Sequence, residues 1–261
     1  MTEDISGGTV GKALAVLDQV AAFGRPVRFA ELLSDSGYPK ATLYRLLQTL
    51  TDQGMLTCDP VTQAYAPGLR LVRLAHAAWA QASLGPLARA ELDALSARTG
   101  ETIHLAQLDG GQVLYIDKRN ARNPVDLFSA AGKVGPAYCT GVGKAMLAQL
   151  TGPALEAALD RQSFHRHTAS TLTTRADLFR DLETIRHSGL AFDREEHEPG
   201  IICLAAPILA PGGQLLGAVS ITTTTARSSL AALADLGPAL RDTAARIAAA
   251  AAPWRFPYRP G

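Results

Sequence analysis

"PKATLYRLLQTL", residues 39–50, is the stretch on which the reading turns. Leu43, Leu46, Leu47 and Leu50 recur at i, i+3, i+4 and i+7, the spacing that gathers apolar side chains on one helical face. The opposite face carries Ala41, Arg45 and Gln48, with Tyr44 at its flank. Pro39 sits where proline suits a first helical turn, and the helix is expected to run to about Gly54.

Working outward, residues 9–23 place Val10, Ala13, Leu14, Leu17, Val20 and Ala21 at helical spacing, and "FGRPVR" then breaks that helix with Gly24 and Pro26. "FAELLSDS" (29–36) is a short second helix, closed by "GYP". After the quoted helix, "MLTCDP" and "QAYAPG" are two short strand-like pieces around Asp59-Pro60, a small hairpin. Three helices and a hairpin in this order are a winged helix-turn-helix, in which the third helix stands proud of the body.

A helix that enters a major groove needs an apolar back and a front of polar side chains with an arginine. Lys40, Thr42, Tyr44, Arg45 and Gln48 supply that front: Arg45 reaches toward a base edge, Thr42 and Tyr44 toward phosphate. Arg25, Arg28 and Gln63 are candidate backbone contacts. An exposed arginine on a leucine-backed helix is also compatible with a plain solvated surface. Residues 1–70 hold six basic against seven acidic residues, so one copy would bind DNA weakly, and a dimer is expected.

The whole chain has 261 residues, enough for two domains. It is 47% hydrophobic and 19% charged with a formal net charge of +1, which supports a buried core and speaks against a general basic coat. Cys58, Cys139 and Cys203 are odd in number and widely spaced, so a reducing cytosol is expected rather than a disulfide framework. No signal peptide is read at the start, and the alanine-rich end carries charges and a proline, unlike a membrane span.

The expected division is 1–68 for DNA binding, 69–84 as a linker helix ("LRLVRLAHAAWAQA") able to pair with a second copy, 85–252 as an effector domain, and 253–261 as a tail. In the effector domain, a helix over 87–100 precedes a hairpin, "ETIHLAQL" and "QVLYIDK" around "DGG". "PVDLFSA" (124–130) reads as a strand, "GVGKAMLAQL" as a helix, and 153–160 and 174–188 as further helices. "LAFDR", "IICLAAPIL" and "QLLGAVSITT" read as strands, and 228–252 as one long helix. Hairpins mixed with helices indicate an α+β fold with a mainly antiparallel sheet.

Within "GAVSIT", Val219 and Ile221 share one strand face and Ala218, Ser220 and Thr222 the other. With helices on the apolar face, the two hydroxyls would aim across the opposite surface, suited to a polar ligand or simply to solvent. In "CTGVGKA", Gly141 and Gly143 would let backbone N–H groups approach a bound carboxylate. Lys144 reads as a cap or a pairing partner, and GxGK without the rest of the Walker pattern is no phosphate loop. "HRH" (165–167) and "DREEHE" (193–198) lack the HExxH or CxxC spacing of a metal site and read as a solvated surface. A Cys203–His197–Glu195 nucleophile has no supporting elbow motif, so neither an enzyme nor a cofactor is expected.

The stretch from Lys12 to Ala75, followed by "GETIHLAQLDGGQVLYIDK", "GVGKAMLA", "GLAFDREEHEPGIICLAAPI" and "GAVSIT", resembles an IclR-type transcriptional regulator, the isocitrate lyase regulator family, over about residues 10–250. The resemblance implies a cytoplasmic protein that binds operator DNA as a homodimer or homotetramer. It also implies a GAF-like effector domain holding a small organic acid, with contacts at Leu127, Gly141, Val142, Asp193, Ile201, Cys203, Ser220 and Thr222. The alternative is a small-molecule enzyme, or a metabolite-binding module whose helix-turn-helix touches protein; specific retardation of DNA in a gel separates the two.

Overall fold

In the computed structural model, which describes residues 8–82, 84–125 and 127–252, the leucine stripe of the quoted segment is the spine of the first unit. Helices α1 (Gly8–Ala22), α2 (Phe29–Asp35) and α3 (Lys40–Asp52) surround it. Leu43, Leu46, Leu47 and Leu50 are 0–6% exposed and pack with Val16, Leu17, Val20, Val27 and Leu32. Each such burial is worth about 1.5–3 kcal/mol, which fixes α3 by its back. Strands β2 (Leu56–Cys58) and β3 (Ala64–Pro67) form the expected hairpin, and β1 (Val27–Arg28) adds to its edge, so "PVR" is a strand as well as a helix breaker. The stripe assigned to α1 is only half right: Leu17 and Val20 are buried with Val16, whereas Val10 and Leu14 are 74% and 51% exposed. Helix α4 spans Leu69–Ala82, as expected. Leu69, Val72 and Leu74 on it are 82%, 63% and 51% exposed.

The chain divides into two compact units, Met1–Gln81 and Ala82–Gly261. Residues 1–7 and the 253–261 tail lie outside the described residues. The second unit is built on a six-stranded antiparallel sheet in the order β6-β5-β4-β9-β8-β7, with β4 Thr102–Asp109, β5 Gln112–Arg119, β6 Val134–Gly135, β7 Ala191–Arg194, β8 Ile201–Leu209 and β9 Leu215–Thr224. One face is covered by α5 (Gly85–Thr99), α9 (Leu230–Asp235) and α10 (Gly237–Ala251), which bury Ile103, Leu105, Leu204, Val219 and Ile221. The other is covered by α6 (Gly141–Leu147) and, behind it, α8 (Arg175–Ser188), with α7 (Gly152–Asp160) at the side.

Three expectations are corrected. Among the described residues of 124–130 there is no strand; the strand pairing with β5 is β6, further on. The long helix over 228–252 is two, broken at Leu236, with Pro238 in the first turn of the second, where its missing N–H costs nothing. Ser220 and Thr222 do not look out across an open sheet face, because α6 covers that face too and leaves them 1% and 7% exposed.

Candidate functional site

Sheet register builds the site. Asp193 pairs with Cys203, Cys203 with Thr222, Ala205 with Ser220, and Ser220 with His104, so these side chains lie on one face. The register between β4 and β5 slips by one residue at Leu105/Ala106, which sets Tyr115 opposite Ala106 on that same face. Over it lie Thr140, Gly141 and Val142 at the start of α6, and the irregular segment carrying Leu127 and Ser129. Between them is a cavity of about 30 Å³. All eight residues expected at an effector site line it: Leu127, Gly141, Val142, Asp193, Ile201, Cys203, Ser220 and Thr222.

Glycine is required at Gly141 and Gly143 for different reasons. A Cβ on Gly141 would meet Cys203 Sγ at 2.8 Å, at the cavity wall. A Cβ on Gly143 would lie 2.4 Å from Ala137 Cα, so Gly143 serves the packing of α6 and not the cavity, contrary to its expected role.

Sequence reasoning missed His104, Tyr115, Ser129, Thr140, His197 and Glu198, which also line the cavity. His104 is 3% exposed; its Nε2 lies 2.7 Å from Ser129 Oγ and its Nδ1 3.2 Å from Thr222 Oγ1 and 3.4 Å from Ser220 Oγ. Burial, with Lys118 nearby, pushes its pKa down to about 3, so the ring is neutral at physiological pH. Phe128 ties the covering segment to the rim: its N–H donates to Glu198 Oε1 at 3.1 Å and its ring stands 5.0 Å from that of His197.

Among the described residues, the lining has no lysine or arginine. Of the two carboxyl groups among its described residues, Glu198 is held below the ordinary carboxylate range, first by its contact with His197, whereas Asp193 is 6% exposed and pushed up to about 7, by burial first and then by Glu196, against the Glu196 N–H that it accepts at 2.8 Å and the charges of Lys144 and His197. The neighbouring thiols Cys139 and Cys203 are both pushed up to about 12 by burial, so both stay protonated at physiological pH. Lys144 pairs, as one of its expected readings had it. It is fully buried, with Nζ 2.7 Å from Asp181 Oδ2 and 2.6 Å from Glu196 Oε1. The "HRH" and "DREEHE" segments do meet: the His167 ring stands edge-on to that of His165, with centroids 5.0 Å apart, and lies tilted against that of His197 at 4.8 Å. Among the described residues, no group of three such side chains has the geometry to hold a metal ion.

In the first unit, the front of α3 is open. Lys40, Tyr44, Arg45 and Gln48 are exposed and Thr42 is half-buried. Gln48 Nε2 donates to Tyr44 Oη at 3.1 Å. Arg45 makes no side-chain hydrogen bond or ion pair among the described residues. Arg25 is not free in the same way: its Nη2 donates to Glu31 Oε1 at 2.5 Å, while Glu31 also accepts the Arg28 N–H. In the wing, Asp59 Oδ1 accepts the N–H groups of Val61 and Thr62, and Gln63 takes a left-handed φ of 55° that closes the turn.

Comparison with known proteins follows the same division. The family model for the bacterial transcriptional regulator IclR C-terminal domain matches residues 76–249, and that for the IclR helix-turn-helix domain matches residues 9–60. The chain is 32% identical to the HTH-type transcriptional regulator XynR of Escherichia coli over 227 residues, 87% of this chain and 90% of that one. It is 32% identical to the HTH-type transcriptional regulator BhcR of Paracoccus denitrificans over 250 residues, 95% of this chain and 89% of that one. The crystal structure of the Thermotoga maritima IclR superposes with a TM-score of 0.72 at 27% identity, covering 94% of this chain and 98% of that one.

Proposed function

The chain belongs to the IclR family of bacterial transcriptional regulators, a DNA-binding family whose members respond to ligands, and from that premise we propose how its two units divide the work. Helix α3 enters the major groove, with Arg45 on a base edge and Lys40, Thr42, Tyr44 and Gln48 around it. Arg25 and Arg28 approach the phosphate backbone. Two copies act together, joined in part by the exposed apolar side chains of α4, because the first unit alone has too little positive charge to hold DNA. The protein works in the cytoplasm and catalyses no reaction; no described helix is long and apolar enough to cross a membrane.

The effector is a small organic acid held in the cavity under α6. The observation that carries this is the convergence of separate segments, Leu127, Gly141–Val142, Asp193, Ile201–Cys203 and Ser220–Thr222, on one buried polar space. An acid can enter a space with no lysine or arginine among its described residues because Asp193 holds a proton up to about pH 7 and can donate it in a hydrogen bond to the bound carboxylate. The hydroxyls of Ser220 and Thr222 add further donors. Effector binding alters DNA affinity only as far as it favours one arrangement of the dimer over another.

The test is a gel shift at fixed salt with the DNA upstream of the protein's own gene and of its neighbours. Retardation that survives competitor DNA, and that changes on adding short organic acids, is the expected result. Specific retardation indifferent to every acid sinks the effector reading; loss of retardation to competitor DNA sinks the operator reading.

A further inference from the structure

We propose that His104 sets the size limit of the effector: it fills the inner end of the cavity and bolts the covering segment to the sheet, so that short aliphatic acids enter and aromatic acids do not. This rests on the reading of the cavity as an acid-binding site.

The ring bridges two walls. One nitrogen lies 2.7 Å from Ser129 Oγ on the covering segment, and the other faces Thr222 and Ser220 on β9 at 3.2 and 3.4 Å. The edge of the ring packs on Tyr115 with centroids 5.4 Å apart. The cover is pinned again at the rim, where the Phe128 N–H donates to Glu198 and the Lys118 ammonium donates to the Ser129 carbonyl at 3.0 Å. What these bolts leave is about 30 Å³. One water molecule needs about 10–15 Å³ of such space, whereas a benzene ring occupies an engineered cavity of ~150 Å³. A two- or three-carbon acid needs a modest lift of the cover; an aromatic acid needs the volume of the imidazole itself.

The bridge also defines the chemistry of that inner end. A neutral imidazole presents one donor and one acceptor, and the hydroxyl of Ser129 can turn to match either tautomer. The atom facing Ser220 and Thr222 therefore accepts from a hydroxyl or donates to a carbonyl on the effector. It supplies no positive charge to a second carboxylate.

The experiment uses the full chain, with lactate, pyruvate and benzoate as probes, read by calorimetry and by the shift in melting temperature. Wild type is expected to bind lactate or pyruvate at least about tenfold more tightly than benzoate, the scale on which pockets sort ligands by a few carbons. His104→Ala should gain about tenfold or more for benzoate and lose affinity for the short acids. His104→Asn, which keeps a polar group at the Nδ1 position but no longer reaches Ser129, should fall between, and it carries the test should the alanine variant fail to fold. Two results overturn the proposal alone: wild type binding benzoate as tightly as lactate, or a lactate-to-benzoate ratio unchanged within about twofold in the folded variants. Binding of none of the three acids by any of the proteins overturns the acid-site reading, and the proposal with it.

Discussion

Replacing Lys144 by methionine isolates the strongest electrostatic commitment in the second unit. The ammonium is fully buried and sits 2.7 Å from Asp181 and 2.6 Å from Glu196, whose side chains are 18% and 4% exposed. At an effective dielectric of about 20, a charge pair at ~2.7 Å attracts by roughly 6 kcal/mol, and desolvation of the ions offsets most of it. Removing only the cation keeps the desolvation and discards the attraction, leaving two carboxylates facing each other. The expected loss is ~3–5 kcal/mol, the usual result of breaking a buried pair from one side. The pH dependence follows from Glu196, whose pKa burial already holds above the ordinary carboxylate value in spite of Lys144. Without the lysine it rises further, so the folded variant retains a proton that the unfolded chain has released, and stability falls as pH rises through that interval. The deficit of Lys144→Met against wild type is thus larger at pH ~8 than at pH ~5.5, because protonated Glu196 needs no cation. Urea titrations of the full chain, followed by far-ultraviolet circular dichroism at both pH values, measure it through the midpoint at constant slope. Adding Glu196→Gln should recover part of the loss at the higher pH and little at the lower. A deficit below about 1 kcal/mol, or one equal at the two pH values, refutes the reasoning.

Arg45→Ala should weaken operator binding by ~1–3 kcal/mol, and Lys40→Ala should lower the salt slope by about one; fluorescence anisotropy across a salt series separates base reading from phosphate contact. Asp193→Asn should flatten part of the pH dependence of stability. With a folded pKa of about 7 against 3.8 ordinarily, wild type loses stability through this group as pH rises across that window, by up to about 4 kcal/mol, and no further above it; melting temperatures from pH ~4 to ~8 for the two proteins show the difference. Gly143→Ala would place a methyl 2.4 Å from the backbone of Ala137 and should cost ~1–3 kcal/mol, whereas Gly37→Ala meets nothing within 4 Å and should stay within about 0.5 kcal/mol, both read by thermal denaturation.

The first unit was legible because its information is local. Four leucines at helical spacing, a proline at a helix start and Asp59-Pro60 between two apolar pieces each determine their own neighbourhood. Only β1 escaped, since a two-residue strand has no period to show and exists only because Val27 and Arg28 meet Tyr65 and Ala64. The error in α1 has a related cause. Periodicity marks Val10 and Leu14 as apolar, but it does not say whether this chain or another surface covers them, and within the chain they stay exposed. The long C-terminal helix failed on a weak signal: Gly237-Pro238 inside an alanine-rich run is as compatible with a first turn as with an interior kink, and in the fold Pro238 takes the first turn, where its missing N–H costs no helical bond.

The cavity divides along the same line. Ser220 and Thr222 could be assigned a common face from the alternation of one strand and Gly141 a place in a glycine loop, whereas Leu127, Val142, Asp193, Ile201 and Cys203 came from the family resemblance. His104 could not be found this way, although it too alternates within a legible hairpin. What gives it meaning is its pairing with Ser220 across 116 residues of sequence and with Ser129 on a segment that has no regular structure at all. A histidine between Ile103 and Leu105 reads as a polar residue on the wet side of a two-faced strand, because a sheet with a single covered face is the simplest antiparallel arrangement. Here α6 covers the second face, and the same substitution of burial for solvent that keeps His104 neutral also raises Asp193 toward neutrality. The seating of α6 against β8 depends on Gly141, where a Cβ would meet Cys203 Sγ at 2.8 Å and Ala205 Cβ at 3.4 Å, while Gly143 lets Ala137 and Thr140 pack against the start of the helix. Two glycines visible in the sequence as a possible ligand loop therefore act through packing, Gly141 at the cavity wall and Gly143 against the segment that leads into α6.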